Sequence, residues 1–149
     1  MAIFNAFNIS ATGMSAQRVR MDVLAQNAAN VSITRTEDGT PYKRKNVVFH
    51  EKAANNFSTI LNSMIGSRNA AIGSGVKVTE IVEDDKTPMN MVYDPAHPDA
   101  DENGYVTYPN VNVVTEMTDL IDATRAYEAN VTAFNATKNM ALKALEIGR

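Results

Sequence analysis

The chain has 149 residues, 21% of them charged, with a formal net charge of −3, a pI near 5.3 and no cysteine. That balance excludes the basic footprint of a nucleic-acid binder, and the missing thiols exclude a disulfide framework and thiolate chemistry. The length suits one domain with a modest core, or a small domain with appendages.

No window approaches the roughly 18–20 apolar residues needed to span a bilayer, so direct membrane insertion is not expected. The opening MAIFNAFNISATGM lacks the basic start and apolar run of a secretory signal peptide. A chain of this kind that leaves the cytoplasm is expected to use a route needing neither device.

The spacing predicts a helix over about Asn5 to Val31. Phe7, Met14, Met21 and Ala28 recur every seven residues, and Ile3, Ser10, Gln17, Leu24 and Val31 form a companion row. These are the a and d rows of a seam, on a helix about 40 Å long. Gly13 inside it costs about 1 kcal/mol against alanine, which packing must offset. From Met1 to Thr34 only Arg18, Arg20 and Asp22 are charged. A lone surface helix carries a charged face opposite its apolar one, so this one is expected to be covered on more than one side.

The composition then changes. GTPYKRKNVVFH opens on turn chemistry, with Lys43-Arg44-Lys45 read as a solvated loop, and runs into the strand-prone Val47-Val48-Phe49. Glu51 to Gly73 is punctuated by Gly, Ser and Asn and reads as a loop. VKVTEIVED alternates as a strand does, and Met89–Tyr93 and Tyr105–Thr107 are expected to pair with it. The segment from about Val113 to Ile147 returns to helix, about 50 Å long, with Met117, Thr124, Val131, Lys138 and Leu145 in one row. Leu120, Tyr127, Phe134 and Ala141 form the other, and five alanines between Ala123 and Ala136 leave a small-residue surface. Glu116 and Asp119 suit the helix start, Lys143 suits its end, and Gly148 is the expected stop.

The fold class read from this pattern is mainly α with a small β-rich middle, its long N- and C-terminal helices paired as a coiled coil. Residues 1–32 and 110–149 would form a helical domain and 33–109 a small β-rich domain with loops. That middle is too slight to bury both helices.

VYDPAHPDADENGYVTYPNVN, Val92 to Asn112, is the stretch with the most chemistry in it. Asp99, Asp101, Asn103 and Gly104 match positions 1, 3, 5 and 6 of a calcium-binding EF-hand loop. Position 12 is Asn110 where a bidentate glutamate belongs, and Pro95 and Pro98 disfavour the entering helix. The alternative is a connector. Asp94-Pro95 and His97-Pro98 hold the chain extended, Asn103-Gly104 makes a two-residue hairpin turn, and Pro109-Asn110 ends the strand. Asn110 or Asn112 would cap the following helix, and His97 is a hydrogen-bonding turn residue.

No catalytic residue, cofactor site or metal site emerges. Gly73-Ser74-Gly75 lacks the first glycine of a nucleophile elbow, because position 72 is Ile72. Asp84-Asp85 reads as a solvated turn, and no glycine loop is built to cradle phosphate.

Three blocks together resemble the bacterial flagellar basal-body rod proteins. SATGMSAQRVRMDVLAQNAAN, Ser10 to Asn30, is similar to the N-terminal signature of rod and hook proteins. The Val92–Asn112 block resembles the type that builds the proximal rod. EMTDLIDATRAYEANVTAFNATKNM, Glu116 to Met140, carries the Arg125-Ala126-Tyr127-Glu128-Ala129-Asn130 run typical of the family's C-terminus. The family usually has a larger apolar residue at the place of Ala28.

The resemblance implies a structural subunit, not an enzyme, of the periplasmic tube that transmits motor torque. Its partners would be copies of itself, the other proximal and distal rod proteins and a rod-base adaptor. Transit would run through the flagellar type III export apparatus without a cleaved signal peptide. The terminal segments would be disordered in the free monomer and become helical on assembly. Subunit packing would then fall to Phe7, Met14, Met21, Leu24, Met117, Leu120, Tyr127, Val131 and Phe134. Tyr93, Asp94, Pro95, Pro98, Asn103, Gly104, Tyr105 and Pro109 would form the connector that sets the angle of the β unit. Against this stand a calcium-binding module on Asp99–Gly104 and a self-contained monomer whose helices fold onto the β unit.

Overall fold

A computed structural model describes residues 2–52 and 74–147. The loop expected from Glu51 to Gly73 and the Gly148 stop fall almost wholly outside these residues, as does the Ile3 side chain. Among the described residues, two long helices, α1 (Ala2–Ala29) and α2 (Val113–Ile147), flank four short strands. The strands are β1 (Lys45–Glu51), β2 (Val76–Glu83), β3 (Asn90–Tyr93) and β4 (Tyr105–Tyr108). The architecture is thus mainly helical with a small β middle.

The strands form two separate antiparallel pairs, β1 with β2 and β3 with β4. This corrects the expectation that Met89–Tyr93 and Tyr105–Thr107 join VKVTEIVED in one sheet. Between Val48 and Phe49 the partner residue jumps from Glu80 to Val78. Thr79 is the extra residue of a bulge, which breaks the inside-outside alternation of β2. Asp84 then ends the hairpin: its carboxylate accepts from the Lys86 and Thr87 amides at 3.0 and 3.1 Å and from the Thr87 hydroxyl at 2.8 Å. The Thr87 bonds, ahead of the Lys86 amide, lower the Asp84 pKa from its ordinary value.

The helices lie antiparallel. Phe7 meets Phe134 edge to face at 4.8 Å, the Thr124 hydroxyl reaches Met21 Sδ at 3.5 Å, and Asn27 bonds Glu116 at 2.9 Å. Gly13 has a positive role in this contact, because a Cβ there would sit 2.6 Å from Asn130 Oδ1. The cost of a mid-helix glycine is the condition for the helices to approach at that point.

The opposite side of α1 packs on the β1–β2 hairpin, so the helix is covered on two sides. There Gly75, at φ +105, rests against Thr12, whose hydroxyl accepts from the Val76 amide at 3.3 Å. A side chain at position 75 would drive into Thr12 and force a left-handed backbone as well. Among the described residues the buried apolar side chains are few: Ala16, Val23, Leu24, Tyr42, Val106, Pro109, Val111 and Ala123.

Candidate functional site

Two surfaces stand out, a polar junction at one end of the helix pair and an apolar face along α2. The junction forms where α1 ends, β1 begins and α2 begins. Asn27 is fully buried and Glu116 is 1% exposed. Asn27 Nδ2 donates to Glu116 Oε2 and to the Lys45 carbonyl, each at 2.9 Å. Its Oδ1 accepts from the Tyr42 hydroxyl at 2.8 Å and from the Lys45 amide at 3.0 Å. The other Glu116 oxygen takes Arg44 Nε at 2.6 Å. Asp119 lies 3.7 Å from Arg44 and 3.5 Å from Arg20.

Burial pushes the Tyr42 phenol above its ordinary value, and the charges of Glu116 and Glu83 add to the shift. Asn110 closes the junction from the connector side. Its Oδ1 accepts from the Arg44 amide at 2.9 Å, and its Nδ2 donates to the Asp84 and Thr87 carbonyls. The helix cap is Asn112, whose Oδ1 accepts from the Val114 amide at 3.0 Å.

The junction corrects two sequence readings. Lys43-Arg44-Lys45 is not a solvated loop, because Arg44 turns inward to a buried carboxylate while Lys43 pairs with Asp85 at 2.5 Å. Glu116 does more than face the helix dipole. A hint was present in the sequence: Asn27 falls three and four residues after Leu24 and Val23, on the apolar face.

Leu120, Tyr127 and Phe134 are half-buried towards α1, and Ala141 is half-buried as well. Their companion row differs from the expected one. Glu116, Ala123, Asn130 and Thr137 turn inward, one residue earlier than Met117, Thr124, Val131 and Lys138. Val131 is half-buried, whereas Met117 is 57% exposed. On α1, Leu24 is buried and Phe7, Met14 and Met21 are half-buried.

Outside the pair, α2 keeps an apolar face. Val114, Met117 and Ile121 repeat at intervals of three and four and are all exposed. From the Phe7–Phe134 contact, α2 runs about two turns beyond the start of α1. That overhang carries Met140, Leu142, Leu145 and Ile147, the last two 72% and 85% exposed.

The connector residues hold one another. Tyr93 meets Tyr105 edge to face at 5.3 Å, and the Asp94 amide donates to the Gly104 carbonyl at 2.9 Å. Pro95 and Tyr93 crowd Gly104, while Pro98 is exposed and Pro109 buried. Asn103-Gly104 does not make a two-residue turn, whose favoured forms need positive φ at the first residue or at both. Only Gly104 has it, at +78, and the Asp101 amide bonds the Tyr105 carbonyl across a three-residue turn closed by that glycine.

His97 Nδ1 accepts from the Asp99 amide at 3.1 Å, and Asp99 Oδ2 accepts from Thr34 at 2.8 Å. Among the described residues, no three His, Asp or Glu side chains converge as metal ligands, so the calcium reading gains no support. No described helix is long and apolar enough to cross a membrane.

Comparison with known proteins gives this geometry its context. The family model for the flagellar basal body rod FlgEFG protein C-terminal region matches residues 102–147. The flagellar basal-body rod protein FlgC of Bacillus subtilis (strain 168) is 53% identical over 154 residues, covering 100% of both chains. The FlgC proteins of Borreliella burgdorferi and Salmonella typhimurium are 45% and 40% identical, covering 99% and 100% of this chain and 98% and 100% of their own. The chain belongs to the FlgC family of flagellar basal-body rod proteins. FlgC chains are structural rod proteins, so the two surfaces described above are to be read as packing and positioning surfaces, not as a catalytic site.

Proposed function

We propose that the chain is a structural subunit of the flagellar proximal rod, polymerising through its terminal helices into the tube that transmits motor torque. The observation that carries this reading is the apolar face of α2, exposed in a chain whose full-length relatives are rod proteins. Val114, Met117 and Ile121 would pack on one neighbour and the overhang from Met140 to Ile147 on another. Phe7, Met14, Met21, Leu24, Leu120, Tyr127 and Phe134 would pair as a coiled coil within the assembled subunit, with Val131 at the margin of the seam. Residues 1–32 and 110–149 then act as the rod-core domain and 33–109 as an outer β-rich domain, angled by the connector from Tyr93 to Pro109.

Neighbours would be copies of the chain, proximal and distal rod proteins and a rod-base adaptor, in the periplasmic part of the basal body. Export would proceed through the flagellar type III apparatus, without a cleaved signal peptide. In the free monomer the exposed face leaves too little buried area to offset the ~1–2 kcal/mol per residue that backbone ordering costs. Neighbours supply that area at roughly 25 cal/mol per Å², so folding is coupled to assembly and the chain stays export-competent before it.

Circular dichroism of dilute monomer, followed through assembly, tests this. The expected result is little helix at first and a large gain on association; two stable long helices in dilute monomer would sink it. In cells, Tyr127→Asp or Met21→Asp is expected to abolish swimming while leaving export intact. Normal motility in either would place the packing surface elsewhere.

A further inference from the structure

The primary amide of Asn27 has two donor and two acceptor positions, and all four are filled. One partner is Glu116 on α2; the others are Tyr42 and both backbone groups of Lys45 at the start of β1. Glu116 is itself divided between Asn27 on α1 and Arg44 beside β1. Each buried polar group is therefore satisfied only when α1, α2 and the β1 segment are all in place. No pair of the three completes the set.

We propose that this junction is a coupling latch, which makes pairing of the helices and docking of the β1–β2 hairpin a single event. It deepens the packing reading above and rests on it only for where the latch acts, at the moment a subunit takes its place. A rod must hold its outer unit at a fixed angle to its helical wall. A hairpin that docked before the helices paired would lack the Glu116 partner of both Asn27 and Arg44. Paired helices without the hairpin would forgo three of the four Asn27 bonds and leave water in their place. Each bond forgone shifts an equilibrium by roughly 2- to 10-fold, so several forgone together suppress either intermediate.

The test uses the full-length chain at a concentration where helix is present, across a denaturant series. Helix is read by circular dichroism and the β1 segment, residues 44–51, by hydrogen exchange. In the wild-type chain the two midpoints are expected to coincide. Asn27→Ala is expected to separate them, with exchange over residues 44–51 accelerated at least about tenfold while helix remains. A contact that merely adds stability would move both midpoints together, and that result would overturn the latch. Protection of residues 44–51 in wild-type chains that have no helix would overturn it too.

Should Asn27→Ala fail to fold, Tyr42→Phe removes one of the four bonds with little loss of packing and is expected to separate the midpoints by a smaller interval. Coincident midpoints in Tyr42→Phe would then count against the proposal. Stable helices in dilute monomer would defeat assembly-coupled folding, yet the two midpoints would still report on the latch.

Discussion

The two ends of α2 are built on opposite principles. At its first turn a carboxylate is buried and both its oxygens are partnered, by Arg44 and Asn27. In its last two turns Met140, Leu142, Leu145 and Ile147 stand in solvent with no described residue opposite them. A helix designed to end within its own domain would distribute these features the other way, with apolar residues inside and charges at the margin. The difference teaches where the molecule is complete by itself and where it depends on others. On the proposed reading, position within the subunit is fixed at the junction, and the face and the overhang are left for neighbours.

The sharpest way to break that contrast is Glu116→Ala. Arg44 and Asn27 lose their shared partner, while Arg44 keeps Asp119 at 3.7 Å. The expected loss is about 2–3 kcal/mol in urea unfolding of the full chain at a concentration where helix is present. A loss below about 1 kcal/mol would mean that the junction is no more than a surface ion pair. Phe134→Ala comes next. It empties the half-buried edge contact with Phe7 and is expected to cost about 2 kcal/mol, read as a lower urea midpoint with an unchanged slope.

Tyr42→Phe should cost about 1 kcal/mol near neutral pH, the value of one hydrogen bond. It also has a pH signature. The folded phenol holds its proton above the ordinary value of 10.0, so its contribution is complete below that pH and is lost as pH rises through the raised value. Alkaline destabilisation above about pH 10 should therefore be weaker in Tyr42→Phe than in the wild-type chain. Equal alkaline curves would place the phenol outside the junction.

Leu145→Asp should change the stability of the unassembled chain by no more than about 0.5 kcal/mol, because that side chain is 72% exposed and no described residue covers it. Rod formation should nevertheless fail in cells, read by loss of swimming. A large drop in isolated-chain stability would show that the overhang already has a partner within the subunit.

Much of this was legible in the amino-acid sequence. The boundaries of α2 follow from Asn112 as cap and from a run free of Gly and Pro, and heptad spacing marked Leu120, Tyr127 and Phe134 as inward. The second row escaped because the apolar residues Met117 and Val131 are stronger signals than Glu116, Ala123, Asn130 and Thr137. The helices approach through small and polar side chains, and periodicity of hydrophobicity does not register those. Gly13 illustrates the same point, since its worth is visible only once Asn130 lies opposite. The β pairing was misread because short alternating segments carry no information about which partner they take. The junction was least accessible: Asn27, Arg44 and Glu116 are far apart in the chain, and each has an ordinary surface role when considered alone.

A density map of the intact basal body, resolved to side chains at this subunit, measures the central claim most directly. Val114, Met117 and Ile121, and the overhang from Met140 to Ile147, should be buried against neighbouring rod subunits, with Glu116 still bound to Asn27 and Arg44. Finding those apolar side chains facing water, with neighbours held instead through the β3–β4 hairpin, would contradict the account.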